Sequence, residues 1–158
     1  MKTRNLTSVY QGDFAIECLG VSNEMQTLKT HEIRNLNSFC YIMRENGCTI
    51  STLDGFYVGY TIKQIAKEFD LLIFGKDFVL NIEIKSELKV ANKISKILKQ
   101  MQRNYYYLKI LNLNIMIFEY VDNDGFYQFQ PESNTLKRIY PKELAEIICS
   151  QAIDYSVN

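Results

Sequence analysis

Three residues near the middle of the chain, Asp70, Glu83 and Lys85, have the types and spacing of a cation-dependent hydrolytic site. They lie in residues 68–87, EFDLLIFGKDFVLNIEIKSE, which read as two short strands, 69–74 and 78–85, joined at Gly75-Lys76. A Gly-X pair between alternating apolar runs is a two-residue hairpin signal. With that loop, Phe74 lies opposite Asp77, Asp70 opposite Asn81 and Glu68 opposite Glu83. Side chains alternate across a strand, so Glu68, Asp70, Glu83 and Lys85 share one face. Phe69, Leu71, Ile73, Phe78, Leu80, Ile82 and Ile84 fill the other. Gathering like charges on a half-buried face costs free energy unless a cation offsets it. A divalent metal is the expected cation. Asp70 and Glu83 can share one ion, with the backbone carbonyl of Ile84 as a further ligand. Lys85, one step along the same face, reaches the attacking water and a scissile phosphate. A hard, oxygen-ligated ion activates that water and draws charge off the phosphoryl oxygens.

The elements around the hairpin are expected to position it. Ile33, Leu36, Cys40 and Met43 repeat at helical spacing, with Met25 extending the stripe backwards and Gly47 ending it. Residues 5–20 predict a short hairpin or an irregular lead-in. In 49–67, Ile50, Leu53, Phe56, Val58 and Tyr60 suggest a strand interrupted by Gly55 and Gly59, and 62–67 reads as a single helical turn or a continuation of the following strand. A helix over 89–111 carries an apolar stripe of Val90, Ile94, Ile97, Leu98, Met101, Tyr105 and Leu108. A different face of it carries Lys89, Lys93, Lys96 and Gln100. Such a basic face is commonly just solvated, but here it begins where the carboxylates gather, as a phosphodiester substrate requires. Residues 114–120, NIMIFEY, read as a strand buried on both faces, and strand–helix–strand implies a right-handed parallel crossover. Asp124-Gly125 starts a second hairpin into 126–129. Residues 136–139 add an edge strand, and Pro141 opens a last helix with Leu144, Ile147 and Ile148 inward. Within Tyr105-Tyr106-Tyr107, Tyr105 belongs to the core stripe.

Composition narrows the class. The chain has 158 residues, 47% of them hydrophobic, enough for one domain with a real core. Its formal net charge of zero argues against a general polyanion-coating protein. Cys18, Cys40, Cys48 and Cys149 are scattered and His31 is the lone histidine, which does not fit a structural zinc site. Free thiols in a reducing, cytoplasmic setting are expected. No apolar run reaches membrane-spanning length and the N-terminus lacks a signal-peptide core, so no membrane partner is expected.

Taken in order, helix, strand, hairpin bearing D…E-x-K, long helix and parallel strand resemble the core of the PD-(D/E)XK nuclease superfamily, over roughly residues 23–120. The resemblance implies a restriction-endonuclease-like αβββαβ core, a mixed sheet flanked by helices. It implies that Asp70 and Glu83 bind Mg²⁺ or Mn²⁺ and that Lys85 positions or deprotonates water. An acid from the first helix often completes such a site, and Glu32 is the candidate. A glutamine on the helix after E-x-K often faces it. Gln100 is the choice because it shares the lysine face, with Gln102 on the other flank as fallback. Phe69 stands where the motif has proline.

The resulting expectation is a Mg²⁺-dependent nuclease acting on nucleic acid, DNA before RNA. It is either free-standing or the N-terminal module of a larger helicase-type or phage-defence protein, since the chain stops after residues 153–158 without a capping sequence. Two alternatives stand beside it: a non-cleaving nucleic-acid-binding domain of the same fold, and a protein-interaction module in which the acids and lysine form a surface salt-bridge network. No residue pattern selects endo- or exonuclease action, base specificity or an oligomeric state, and no helix-turn-helix or zinc finger is visible.

Overall fold

The hairpin lies inside a six-stranded mixed sheet whose strands run side by side in sequence order. The computed structural model describes residues 3, 5, 6 and 30–150, and the fold below concerns these. The strands are β1 (Tyr57–Ile62), β2 (Lys67–Phe74), β3 (Phe78–Lys85), β4 (Asn114–Val121), β5 (Gly125–Gln130) and β6 (Thr135–Ile139). All neighbours pair antiparallel except β3 and β4, which are parallel. A parallel pair needs a long crossover, and α2 (Lys93–Leu108) supplies it. Helices α1 (Thr30–Glu45) and α3 (Pro141–Ser150) complete the described α-helices, and short 3₁₀ turns lie at Ser51–Leu53 and Lys63–Ile65. The expectations for Met25, and for 5–20 apart from Asn5 and Leu6, fall outside the described residues.

Hydrophobic periodicity decides the layers. Leu36, Phe39, Cys40 and Met43 of α1 and Leu144, Ala145 and Ile148 of α3 bury themselves against Leu71, Ile73, Leu80, Ile82 and Phe118 on one sheet face. On the other face, Ile97 and Met101 of α2 pack on Ile117, Val121, Tyr127 and Phe129. Gly47, at φ +105°, ends α1 in a conformation that costs glycine little. The predicted helix over 89–111 begins later, at Lys93, and its last residues tighten into a 3₁₀ turn, Lys109–Leu111. Val90 and Ile94, expected in the core, are exposed because they precede the stretch that lies on the sheet. Tyr105 packs on the Phe129 ring, while Tyr106 is exposed beneath Lys109.

Two features of the hairpin differ from expectation. Its turn is Lys76-Asp77, not Gly75-Lys76: the Gly75 amide donates to the Phe78 carbonyl at 2.9 Å, and Leu72 faces Asn81. Gly75 belongs to the ladder because a side chain there would overlap the Phe78 ring. The change of register is by two residues, which exchanges opposite partners but keeps each residue's face.

The second difference lies in β2. Phe69 packs with Tyr57, Leu72, Phe74, Val79 and Leu108 on the α2 side, not with Leu71 and Ile73. Alternation therefore resets at Asp70. Gly59, at φ +65°, lies at the matching point of β1, between the pairs Val58–Leu71 and Tyr60–Phe69. The reset turns Lys67 toward the α2 face and Glu68, which is exposed, away from it.

Candidate active site beneath helix α2

Burying polar groups is unfavourable unless they find partners, and most of the buried polar residues among those described lie together. Asn81, Glu83, Asn104 and Glu119 are all essentially inaccessible. Asn81, Glu83 and Glu119 project from β3 and β4 onto the face that α2 covers, and Asn104 meets them from the helix, its amide donating to Asn81 Oδ1 at 2.8 Å. The Asn81 amide donates in turn to the Leu71 carbonyl at 3.0 Å and to Glu83 Oε2 at 3.3 Å.

At the end of the β2–β3 ladder the two motif acids replace backbone pairing with carboxylate–amide bonds. Glu83 Oε2 accepts from the Asp70 amide at 2.8 Å, and Asp70 Oδ2 accepts from the Ile84 amide at 2.9 Å. Each acid thus holds the other's strand. Gln100, placed one turn from both Ile97 and Asn104 on α2, donates to Glu83 Oε1 at 3.0 Å. Asp70, Glu83 and Gln100 are therefore brought together as the sequence suggested. Gln102 is not part of this group: its amide donates to Asn134 at 2.6 Å.

The remaining expected residues divide. Lys85 follows Glu83 on the same face, half-buried, close enough for its charge to act on Glu119. The Ile84 amide is engaged by Asp70, and its side chain joins the α1 side of the core. Glu32 lies in the first turns of α1, and its side chain is outside the described residues. Asn35, one turn later, donates to Ser86 at 2.8 Å, which sets this part of α1 against the chain leaving β3.

Two residues escaped sequence reasoning. Lys67 places its ammonium 4.0 Å from Glu83 Oε1 and over the Phe69 ring. Burial lowers its pKa below the ordinary lysine value, although Glu83 and Asp70 pull the other way. The break in alternation at Asp70, where Asp70 and Gly59 stand opposite each other without a register shift, puts it there. Glu119 is the ladder partner of Glu83 on β4, and neither of its oxygens has a hydrogen-bond partner. Burial raises its pKa to about 8, with Lys85 opposing and Glu83 and Asp70 reinforcing the rise. A lone acid inside the apolar run NIMIFEY is the signal that could have marked it.

Among the described residues, no three acids, histidines or cysteines are gathered closely enough to hold a metal ion as they stand. The donor chemistry nonetheless suits a hard cation: all three acids offer oxygen, and the buried, unpartnered oxygens of Glu119 lie beside Glu83. The basic face of α2 is less uniform than expected. Lys93 ion-pairs with Asp124 at 3.1 Å and Lys89 approaches Glu87 at 3.9 Å. Lys96, Lys99 and Arg103 remain exposed, and Arg103 is near enough to act on Lys67. A cleft of about 610 Å³ lined by Tyr120, Asp124, Phe126 and Arg138 lies away from these acids. Its one acid, Asp124, is already held by Lys93, Arg138 and Tyr127.

No protein-family model, curated protein or solved structure matches the chain. The established class is a mixed α/β fold, a six-stranded mixed sheet with three described helices. No described helix is long and apolar enough to cross a membrane.

Proposed function

We propose that the chain is a metal-dependent phosphodiester hydrolase of the PD-(D/E)XK type, with a restriction-endonuclease-like core, acting on DNA. One observation carries this: residues from three separate stretches, Asp70, Glu83 and Gln100, converge through bonds of 2.8–3.0 Å, with Lys85 beside them. The element order α1-β1-β2-β3-α2-β4 supports it as well.

Asp70 and Glu83 would hold Mg²⁺ or Mn²⁺, with the Ile84 carbonyl and Glu32 as further expected ligands. The bound ion supplies an activated water and neutralises charge growing on the phosphate. Gln100 fixes the rotation of the Glu83 carboxylate by holding Oε1. Lys67 and Lys85 offset the charge of the buried acids, and Lys85, two residues beyond Glu83 on the same face of β3, would orient water and phosphate. Lys96, Lys99 and Arg103 offer the cationic flank along which a phosphate backbone could lie. The reading extends to a cytoplasmic nuclease, free-standing or joined to a helicase-type or defence protein.

A second reading has a specific observation in its favour. Both Glu83 oxygens already have protein partners, which suits a purely structural polar network. Incubating the chain with plasmid and single-stranded DNA, with Mn²⁺ or Mg²⁺ and with chelator, separates the two. The nuclease reading expects cleavage only with metal, and its loss in Asp70→Ala, Glu83→Ala and Lys85→Ala. Equal behaviour of wild type and Lys85→Ala on DNA and RNA would leave the structural network as the better account.

A further inference from the structure

A buried carboxylate with no hydrogen bond is unusual in a folded protein, because it keeps the cost of desolvation and receives nothing in return. Glu119 is such a group, fully inaccessible with both oxygens unpartnered. Its surroundings are directional. Along β4 its neighbours on the same face are Ile117 and Val121, both in the apolar cluster beneath α2. On the β5 side its ladder partner is Tyr127, whose hydroxyl donates instead to Asp124 at 2.8 Å. On the β3 side its partner is Glu83. The polar direction open to Glu119 is therefore toward Glu83, with Asp70, Lys85 and Lys67 also acting on it electrostatically.

Two acids paired across a parallel ladder stand about 5 Å apart at the backbone and project to the same side. Ionised together in a buried site they repel, and a cation between them removes both the repulsion and the missing coordination. The Glu83 oxygens are shared among Asp70, Asn81, Gln100 and Lys67, so Glu119 is the carboxylate with its full donor capacity left.

We infer that Glu119 is a third carboxylate ligand of the cation site, binding a divalent metal jointly with Glu83. This rests on the nuclease reading and goes beyond its motif, which draws no ligand from β4. In the purely structural alternative, Glu119 is only a buried carboxyl beside the polar network and holds no ion. That role changes stability when Glu119 is replaced and leaves metal affinity alone.

The test is Mn²⁺ binding to the whole chain, followed by calorimetry and by the electron paramagnetic resonance of free Mn²⁺, in wild type, Glu119→Gln and Glu119→Asp. Glutamine keeps the size and removes the charge, so its folding should be at least as secure. Aspartate keeps the charge and withdraws it by one methylene. Both variants are expected to weaken Mn²⁺ binding by about tenfold or more, the scale seen when groups supporting a metal site are lost. The Mn²⁺-dependent rise in melting temperature should shrink in parallel. If wild type binds Mn²⁺ and both variants bind it equally well, Glu119 is not a ligand and the nuclease reading survives. If wild type binds no Mn²⁺, the cation site itself is wrong and both inferences fall.

Discussion

The amide of Asp70 donates to Glu83 at 2.8 Å, and Asp70 returns its own carboxylate to the amide beside Glu83, that of Ile84, at 2.9 Å. This reciprocal arrangement closes the hairpin where the strand ladder ends. The same two side chains are thus needed for the fold and for the proposed chemistry. On the proposed reading, an ion would have to share or replace these amide bonds, so both acids would meet it from a held position.

Glu83 should accordingly be hard to remove. In Glu83→Ala the Asp70 amide, the Asn81 and Gln100 side chains and the half-buried Lys67 all lose an acceptor. A loss of about 3 kcal/mol is expected, the scale for unpairing one side of a buried charged network. Glu83→Gln, which keeps one acceptor oxygen, should lose less. Urea denaturation measures both, and a Glu83→Ala protein as stable as wild type would show that the carboxylate is not held as described.

Much of this centre was legible because β-strand parity survives a register error of two. Placing the turn at Gly75-Lys76 gave wrong opposite partners and still put Asp70, Glu83 and Lys85 toward one side. The true turn depends on the Phe78 ring filling the space beside Gly75, a packing contact that local sequence does not express. Gln100 comes from the resemblance and from its place on the face of Lys93 and Lys96, and helical spacing does set it against Glu83. Lys67 escapes the sequence pattern because 62–67 reads equally as a helical turn or a strand, and because alternation breaks at Asp70 opposite Gly59. Glu119 was missed because NIMIFEY was read by its average character, which its one acid does not change. Val90 and Ile94 were assigned to the core because periodicity marks a face without marking where the helix meets the sheet.

Gly75 gives a direct test of the corrected turn. In Gly75→Ala the new methyl would overlap the Phe78 ring, which is buried and fixed in the core. Moving that ring should cost about 1–3 kcal/mol, as overpacking does. Lys76→Ala, in the exposed turn, should cost under about 0.5 kcal/mol. Comparable effects from the two substitutions in thermal melts would argue against this register.

Glu119 predicts a pH dependence of stability in the metal-free chain. Its carboxyl sits at about 8 when folded, against an ordinary value of 4.5. Between these values the unfolded chain has released a proton that the folded chain keeps. Stability therefore falls as pH rises across that window, is unaffected by Glu119 below it and has taken the full loss above it. The total is of order a few kcal/mol. Glu119→Gln should flatten this part of the profile and be the more stable protein on the alkaline side. Denaturation midpoints taken from about pH 5 to about pH 9 check it, and parallel profiles for the two proteins would sink the prediction.

Cys48 and Cys149 predict a covalent response far from the acids. Their sulfurs lie 3.5 Å apart, joining the loop after α1 to the last turn of α3, with Cys48 buried and Cys149 exposed. A disulfide requires about 2.05 Å, so the sulfurs must close by roughly 1.5 Å. Diamide would take two electrons and two protons from the thiols as the S–S bond forms. Burial pushes the Cys48 thiol up to about 12, followed by its hydrogen bond with Cys149, so it is sparsely ionised near neutrality. Cross-linking should be faster as pH rises. The bond would close a loop of about 100 residues, and chain entropy then stabilises the fold by up to ~4.7 kcal/mol less any strain. Faster migration on a non-reducing gel and a higher melting temperature are expected, both reversed by dithiothreitol and both absent in Cys149→Ser. Unchanged mobility of wild type after prolonged alkaline oxidation would mean that the sulfurs do not meet.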